Sequence, residues 1–226
     1  MRRLLALILC FGLLGIPPVR AVETRYVALT FDDGPSGRFT RRLLEGLAER
    51  QVSATFLLCG YRVETYPELA QQIFESGHEI GLHGYSHKNM AALSPRELEK
   101  EISDTLALLP ENCRPVFLRP PGGKISKAVC RAAEDARLAL LTWSVDPRDW
   151  ALHDAAAVEA AVVSQVRDGD VILLHDLSDS SVDAALAIVD RLRKDGFQFV
   201  TASALAALRQ TVVTPGNAYT CFPPEK

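Results

Sequence analysis

Residues 26–35 of the chain read YVALTFDDGP, an apolar run that ends in two acidic residues and a Gly-Pro turn. Residues 26–31 are typical of a buried strand in a parallel sheet, where both faces of the strand are covered. Six further short apolar runs follow, and amphipathic helical patterns separate them. These runs lie at 54–58, 79–82, 116–118, 138–143, 171–174 and 197–200.

Strands that alternate with helices predict an all-parallel sheet with right-handed crossovers. Such a sheet is either open and doubly wound or closed into a barrel, and no dinucleotide-type glycine fingerprint follows the first strand. We predict an α/β fold, a distorted and incomplete (β/α) barrel of about seven parallel strands. Residues 22–210 form its single domain, and residues 211–226, rich in Pro, Thr and Gly, form an extended tail on the surface.

The start of the chain is typical of a secretory signal peptide. Two arginines precede an apolar stretch at 4–16, and a short segment with small residues ends at Ala21. We expect cleavage after Ala21, which assigns residues 1–21 to the signal; the alternative is an uncleaved membrane anchor. No other run is long enough to cross a bilayer. We therefore expect a secreted or cell-envelope protein with no stable membrane span after signal cleavage.

Composition excludes a disordered chain, and the net charge argues against a protein that binds nucleic acid. Hydrophobic residues make up 48% of the chain and charged residues 23%, which is not the composition of a disordered protein. The formal net charge is −3, whereas proteins that hold nucleic acid by its phosphates usually carry a basic excess. We expect a monomer with no nucleic-acid partner. After export, the cysteines form one or two disulfides or remain buried free thiols: Cys59, Cys113, Cys130 and Cys221.

The unusual polar residues of the chain follow the ends of the predicted strands. In a parallel barrel these ends meet at the C-terminal rim, where such folds carry their active sites. Residues that are distant in the sequence therefore converge there without any further assumption. They are Asp32 and Asp33, His83 and His87, Arg119, Asp146 and Asp149, and His175 and Asp176.

Two of these groups together suggest a metal site. His83 and His87 are four residues apart just past a strand, and a carboxylate of the Asp32–Asp33 pair can supply a third ligand. Two histidines and one carboxylate leave coordination positions open, as in catalytic zinc sites. Neighbouring side chains at a strand end point in different directions, so the second carboxylate can serve as a base. The alternatives are surface or core histidines and a solvated Asp-Asp-Gly-Pro turn.

Three more residues are candidates for the same site. His175 follows a buried strand and can act as a general acid, because imidazole titrates near neutral pH; the alternative is a core histidine. Arg119, beside a stiff Pro-Pro-Gly-Gly turn, can pair with a rim carboxylate. Trp150 can form an apolar wall against a sugar, whereas Trp143 is assigned to the core of the fifth strand.

The motifs taken together resemble those of the polysaccharide deacetylases, carbohydrate esterase family four, which carry the NodB homology domain. The resemblance spans about residues 26 to 200 and keeps the order of the family's five motifs. It implies a distorted (β/α) barrel and makes residues 22–210 the catalytic domain of a metal-dependent N-deacetylase. The motifs are TFDDGP at 30–35, His83 with His87, RPPGG at 119–123, DPRDW at 146–150 and LLH at 173–175.

The resemblance also implies a role for each residue that matches a motif. Asp33, His83 and His87 would hold the metal, which we expect to be Zn²⁺, with Co²⁺ or another divalent ion as alternatives. Asp32 would be the base and His175 the acid that protonates the leaving amine, with Arg119 and Asp149 orienting them. The backbone N–H of Gly122 would bind the oxyanion, and Leu173 and Trp150 would line the pocket for the acetyl methyl.

The expected reaction is removal of N-acetyl groups from N-acetylglucosamine-type units of peptidoglycan or a chitin-like glycan, with release of acetate. Two positions depart from the family pattern. Gly84 stands where a Ser or Thr usually steadies the loop, and Gly122 stands where an aromatic residue usually forms a wall of the groove. These departures motivate one alternative, a glycan-binding barrel without catalysis. A separate alternative is a metal-dependent amidase that acts on a non-sugar acetamide.

Overall fold

Eight strands form one sheet in the structure, a computed structural model that describes residues 24–224. The predicted signal peptide at 1–21 lies outside the described residues. Each predicted strand is present, and several are shorter than predicted. The strands are β1 (Arg25–Asp32), β2 (Thr55–Leu58), β3 (Glu79–Leu82), β4 (Phe117–Leu118), β5 (Ala139–Leu141), β6 (Val171–His175), β7 (Phe197–Val200) and β8 (Ala218–Tyr219).

Helices connect the strands on the outside of the sheet. The helix that follows Ser94 begins with a capping box: the Ser94 hydroxyl accepts a hydrogen bond from the Glu97 N–H, and the Glu97 carboxylate accepts one from the Ser94 N–H. In the described part of the chain no helix is long and apolar enough to span a membrane. The helices are α1 (Gly37–Glu49), α2 (Gly60–Thr65), α3 (Pro67–Glu75), α4 (Pro95–Leu106), α5 (Lys127–Asp135), α6 (Asp149–Leu152), α7 (Ala155–Val163), α8 (Asp179–Lys194) and α9 (Ala202–Leu208).

The sheet is a parallel half-barrel, as predicted. Its strand order is β6-β1-β2-β3-β4-β5-β8, and β7 pairs with the first half of β1. All strand pairs are parallel. The chain beyond β5 returns to the other edge, where Val145 forms a single parallel bridge with Ile172 of β6. This bridge brings the two edges together and excludes the open doubly wound alternative.

The alternation of side-chain direction along β1 separates residues of the hydrophobic core from residues of the predicted site. Leu29 and Phe31 face outward and pack in a cluster with the apolar sides of α1 and α8. Thr30 and Asp32, on the opposite face of β1, point into the barrel. The two-residue period of a strand therefore places the carboxylate of Asp32 inside the barrel at its C-terminal rim.

The C-terminal tail differs from the prediction that it lies extended on the surface. Residues Ala218–Tyr219 form β8 beside β5, and the Phe222 side chain is buried against Phe117 with ring centroids 6.4 Å apart. The Phe222 N–H donates to the Gly169 carbonyl oxygen. A Cβ at Gly169 would lie 2.2 Å from the Phe222 carbonyl oxygen, so only glycine fits there. The tail thus fills the gap between β5 and β6.

The four cysteines of the described residues are free thiols, but only two of them are buried as that alternative predicted. Cys59 and Cys113 are buried, and Cys130 and Cys221 are partly exposed. Burial raises the pKa of the Cys113 thiol, so it stays protonated and unreactive.

Candidate functional site

Asp32 is held at the barrel rim by a fully buried arginine. Arg119 follows β4, and its Nη1 donates to Asp32 Oδ1 at 2.6 Å and to Thr30 Oγ1 at 2.8 Å. Nε and Nη2 donate to the backbone carbonyl oxygens of Leu141 and Thr142. These contacts use four of the five guanidinium donors and leave Asp32 Oδ2 free to face the rim.

Asp33, His83 and His87 converge beside Asp32. Asp33 has a left-handed backbone with φ of 71°, which turns its side chain away from that of Asp32. Its Oδ1 lies 3.2 Å from Nε2 of His83 and 3.0 Å from Nε2 of His87. One ligand atom from each of the three residues lies within 4.8 Å of the others, a spacing that one metal ion can bridge.

The hydrogen bonds of His83 show that this cluster fits a cation. Its Nδ1 donates to the Arg119 carbonyl oxygen at 2.7 Å, so Nε2 of the neutral ring carries a lone pair. That lone pair faces Asp33 Oδ1, which is buried and receives no hydrogen bond. Two acceptors this close repel each other unless a cation or a proton lies between them. Ligands about 2.1 Å from one metal lie about 3.0–3.4 Å apart, which matches both Asp33–histidine distances.

The charge state of the cluster also suits a metal. Burial alone would raise the pKa of the Asp33 carboxyl, but when protons on the two imidazoles take the place of a cation, their hydrogen bonds and charge outweigh burial and hold that pKa below its usual value. Asp33 in turn raises the pKa of His87, so a proton and a metal compete for that nitrogen. The ionised carboxylate and the two ring nitrogens are the donor set of many zinc sites with open positions.

His175 and Asp149 form a second pair at the rim. His175 ends β6 and lies opposite Asp32 in the register of the β1–β6 pair. Its Nδ1 donates to Asp149 Oδ1 at 2.8 Å, and its backbone N–H donates to Asp149 Oδ2 at 2.9 Å. Burial lowers the pKa of His175, but the buried Asp149 carboxylate outweighs burial and raises the pKa to about 9. His175 is therefore protonated at neutral pH, with Nε2–H free to act.

Four more predicted residues lie on β6, on α6 and in the segments that follow β4 and β5. Leu173 is buried and lies opposite Thr30 in the β1–β6 register. Trp150 follows Asp149 on α6 and is 53% exposed. Gly122 is exposed in a short 3₁₀ turn after Arg119, with φ of 67° and no atom within 4 Å of the place where a Cβ would stand. Asp146, predicted at the rim, is exposed and accepts a hydrogen bond from the Arg148 N–H.

Sequence reasoning misplaced Trp143, missed Glu101, and grouped Asp176 with the rim residues without giving it a role. Trp143 lies beyond the end of β5, is half-buried, and stands 5.7 Å from the Arg119 guanidinium, so its assignment to the strand core is wrong. Asp176 is fully buried beneath the Asp32–Asp33 turn. Glu101 is a buried acid that binds the loop before His87. A signal for Glu101 was present, because an acidic residue stands on the apolar face of α4.

Comparison with known proteins points to one family. The sequence model of the polysaccharide deacetylases matches residues 20–141. A peptidoglycan-N-acetylglucosamine deacetylase of Bacillus cereus is 38% identical over 80% of this chain and 88% of the relative. A peptidoglycan-N-acetylmuramic acid deacetylase of Bacillus subtilis is 34% identical over 87% of this chain, which spans 42% of that relative.

A solved structure agrees with these relatives. A family 4 acetyl xylan esterase from Clostridium thermocellum, in complex with a cobalt ion, superposes with a TM-score of 0.82 and 34% identity. The match covers 88% of this chain and 100% of that chain. The half-barrel is therefore the fold of this family, as the motifs predicted. The chain belongs to the polysaccharide deacetylases, a family of hydrolases.

Proposed function

We propose that the chain is a metal-dependent N-deacetylase of N-acetylglucosamine-type units in peptidoglycan or a chitin-like glycan. The observation that carries the proposal is the convergence of Asp33 Oδ1 with the Nε2 atoms of His83 and His87, beside Asp32 and His175. A metal site flanked by a carboxylate and a protonated imidazole suits hydrolysis of an amide. The similarity to deacetylases of bacterial cell walls supports a glycan as the substrate.

Asp33, His83 and His87 are the proposed ligands, and Zn²⁺ is the proposed metal. Two nitrogens and one carboxylate oxygen suit Zn²⁺, and Co²⁺ takes similar ligands. A bound divalent ion supplies a Lewis acid that polarises the acetamide carbonyl and stabilises the negative charge that develops on its oxygen. The residues around the ion then have to deliver and remove protons.

Asp32 is the proposed general base. Arg119 occupies Asp32 Oδ1, so Oδ2 is the atom that takes a proton from the attacking water. Oδ2 lies 3.7 Å from Nε2 of His83, which puts it next to the proposed metal position. Arg119 positions this carboxylate and does not itself touch the substrate.

His175 is the proposed general acid. Its Nδ1 is bound to Asp149, so Nε2–H is the donor that gives a proton to the amine nitrogen as the C–N bond breaks. The products are acetate and a glucosamine unit. Asp149 positions the ring and keeps it protonated. We further propose that the Gly122 N–H helps to bind the oxyanion and that Leu173 and Trp150 line the pocket for the acetyl methyl.

We also propose that the protein is exported and acts as a monomer outside the cytoplasm. The signal-like start of the chain and the similarity to peptidoglycan deacetylases support this location. Peptidoglycan and chitin oligomers are the first substrates to test. Acetylated xylan belongs in the same panel, because a structural relative is an acetyl xylan esterase.

Acetate release from these glycans tests the proposal. We expect release that stops with a chelator, returns with Zn²⁺ or Co²⁺, and is lost in Asp33→Ala and His83→Ala. The matched control is His153→Asn, because His153 is exposed and has a left-handed backbone that asparagine tolerates. Asp32→Asn should keep the metal and lose turnover by at least about a hundredfold.

Two results would replace the proposal with an alternative. Tight glycan binding without acetate release, with metal present, would indicate a binding barrel. Release of acetate from small acetylated amines but not from glycans would indicate a non-sugar amidase. Normal metal-dependent turnover in His83→Ala would contradict the ligand assignment.

A further inference from the structure

The loop that carries His87 has a different support from the strand that carries His83. His83 continues β3: its backbone N–H donates to the Leu58 carbonyl oxygen, and its ring is bound to the Arg119 carbonyl oxygen. His87 lies four residues further on, has a left-handed backbone with φ of 56°, and its side chain is 46% exposed. The direction of the His87 ring therefore depends on how the backbone at 84–86 is held.

One buried carboxylate holds that backbone. Glu101, on the inner face of α4, is 8% exposed. Its Oε2 accepts hydrogen bonds from the Tyr85 N–H at 2.7 Å and the Ser86 N–H at 2.8 Å, and its Oε1 accepts one from Ser86 Oγ at 2.5 Å. Hydrogen bonds to an ionised acceptor are stronger than neutral ones, so this carboxylate restrains both peptide units before His87.

The carbonyl side of the loop is held separately. The N–H groups of Gly60 and Tyr61 donate to the carbonyl oxygens of Gly84 and Tyr85, each at 3.0 Å. Loss of Glu101 would leave these two bonds in place but would leave the N–H groups of Tyr85 and Ser86 without their acceptor. The loop would then keep its two carbonyl bonds and the hydrogen bond from the exposed Tyr85 hydroxyl to Glu64, but the backbone at His87 could rotate.

The same carboxylate accounts for the unusual Gly84. Gly84 has φ of 75°, and a Cβ there would lie 3.2 Å from Glu101 Oε2. The glycine therefore allows the close approach of Glu101 to the loop. A hydroxyl side chain at position 84 is not needed to steady the loop, because Glu101 reaches it from α4 and accepts hydrogen bonds from the N–H and the hydroxyl of Ser86.

We propose that Glu101 is a positioning residue for the metal site: it fixes the Tyr85–Ser86 backbone so that His87 points at Asp33. The inference rests on the proposed metal site and extends it to a residue outside the family motifs. Residues that orient metal ligands without touching the metal typically change metal affinity by about 10–100-fold. Glu101 acts through His87 and does not contact the substrate.

The test compares the Zn²⁺ affinity of the full chain and its variants, measured by competition with a chromophoric chelator, and the visible absorption spectrum of the Co²⁺ form. We expect Glu101→Ala to bind Zn²⁺ at least about tenfold more weakly and to change the Co²⁺ spectrum. Glu101→Gln keeps one acceptor and should recover part of the affinity. The matched control is Glu99→Ala, an exposed acid on the same helix, with affinity equal to wild type.

The outcomes separate this inference from the proposed function. If wild type binds no Zn²⁺ that depends on Asp33 and His83, the proposed metal site itself is wrong. If wild type binds Zn²⁺ and folded Glu101→Ala binds it within twofold with an unchanged Co²⁺ spectrum, only the role of Glu101 is overturned. If Glu101→Ala does not fold, the test uses Glu101→Gln instead. A Zn²⁺ affinity and a Co²⁺ spectrum equal to those of wild type in Glu101→Gln would then overturn the proposal.

Discussion

The buried carboxyl of Asp176 should make the protein less stable as pH rises. Asp176 is fully buried, its Oδ2 accepts a hydrogen bond from Thr40 Oγ1, and its Oδ1 receives none. The Gly34 backbone packs against it, since a Cβ at Gly34 would lie 2.7 Å from Oδ1. Burial raises the pKa of this carboxyl from 3.8 to about 6, although the Thr40 hydrogen bond opposes the rise.

The rise in the pKa of Asp176 determines the sign and the size of the effect of pH on stability. In the unfolded chain the carboxyl loses its proton near pH 4, and in the folded protein near pH 6, so the folded state binds more protons between these values. The free energy of unfolding therefore falls as pH rises through this window. At 1.36 kcal/mol per pKa unit, the rise from 3.8 to about 6 corresponds to a loss of about 3 kcal/mol, complete above pH 6.

Asp176→Asn removes the titration and keeps the acceptor for Thr40. We expect the variant to exceed wild type in free energy of unfolding by about 3 kcal/mol at pH 7.5 and by little at pH 4. Urea denaturation of both proteins in chelator, across this pH range, measures the difference. Asp135→Asn, at an exposed carboxyl, is the control. A difference that stays constant between pH 4 and pH 7.5 would show that the Asp176 carboxyl does not titrate in the folded protein as proposed.

Three further predictions follow from other contacts. In a pH profile of kcat/KM, activity should fall above about pH 9 as His175 loses its proton. Asp149→Asn should move this fall to lower pH, because it removes the charge that raises the pKa of His175. A fall at the same pH in the variant would contradict the role of Asp149. Arg119→Met should reduce the free energy of unfolding, measured by urea titration, by about 3–5 kcal/mol, because Asp32 is left as an unpaired buried charge. The double variant Arg119→Met, Asp32→Asn should recover part of this loss. Phe222→Ala should cost about 3–5 kcal/mol in the same titrations, whereas a tail that only lies on the surface would cost almost nothing.

Much of the candidate site was predictable because it follows from strand ends. A parallel sheet brings the residues after β1, β3 and β6 to one rim, so Asp32, His83 and His175 could be grouped before any distance was known. The alternation of side chains along β1 likewise separates Asp32 from the apolar Phe31. These are local consequences of strand geometry, which is why the pattern of the sequence is sufficient for them.

Other features depend on contacts between distant segments and carry little local signal. The proton on Nδ1 of His83 is set by the carbonyl oxygen of Arg119, a contact between two loops. The burial of Phe222 depends on the gap between β5 and β6, which the composition of the tail does not indicate. Trp143 was assigned to a strand because the apolar run continues to residue 143, whereas β5 ends at Leu141. In each of these three cases the backbone geometry, and not the residue type, determines where the group lies.

The proposed function requires one divalent ion between Asp33, His83 and His87. A crystal of the protein grown with Zn²⁺, with diffraction recorded on both sides of the zinc absorption edge, tests it most directly. We expect one strong anomalous peak about 2.0–2.2 Å from Asp33 Oδ1 and from the Nε2 atoms of both histidines. No peak at this position, or a peak bound by other side chains while these three stay empty, would contradict it.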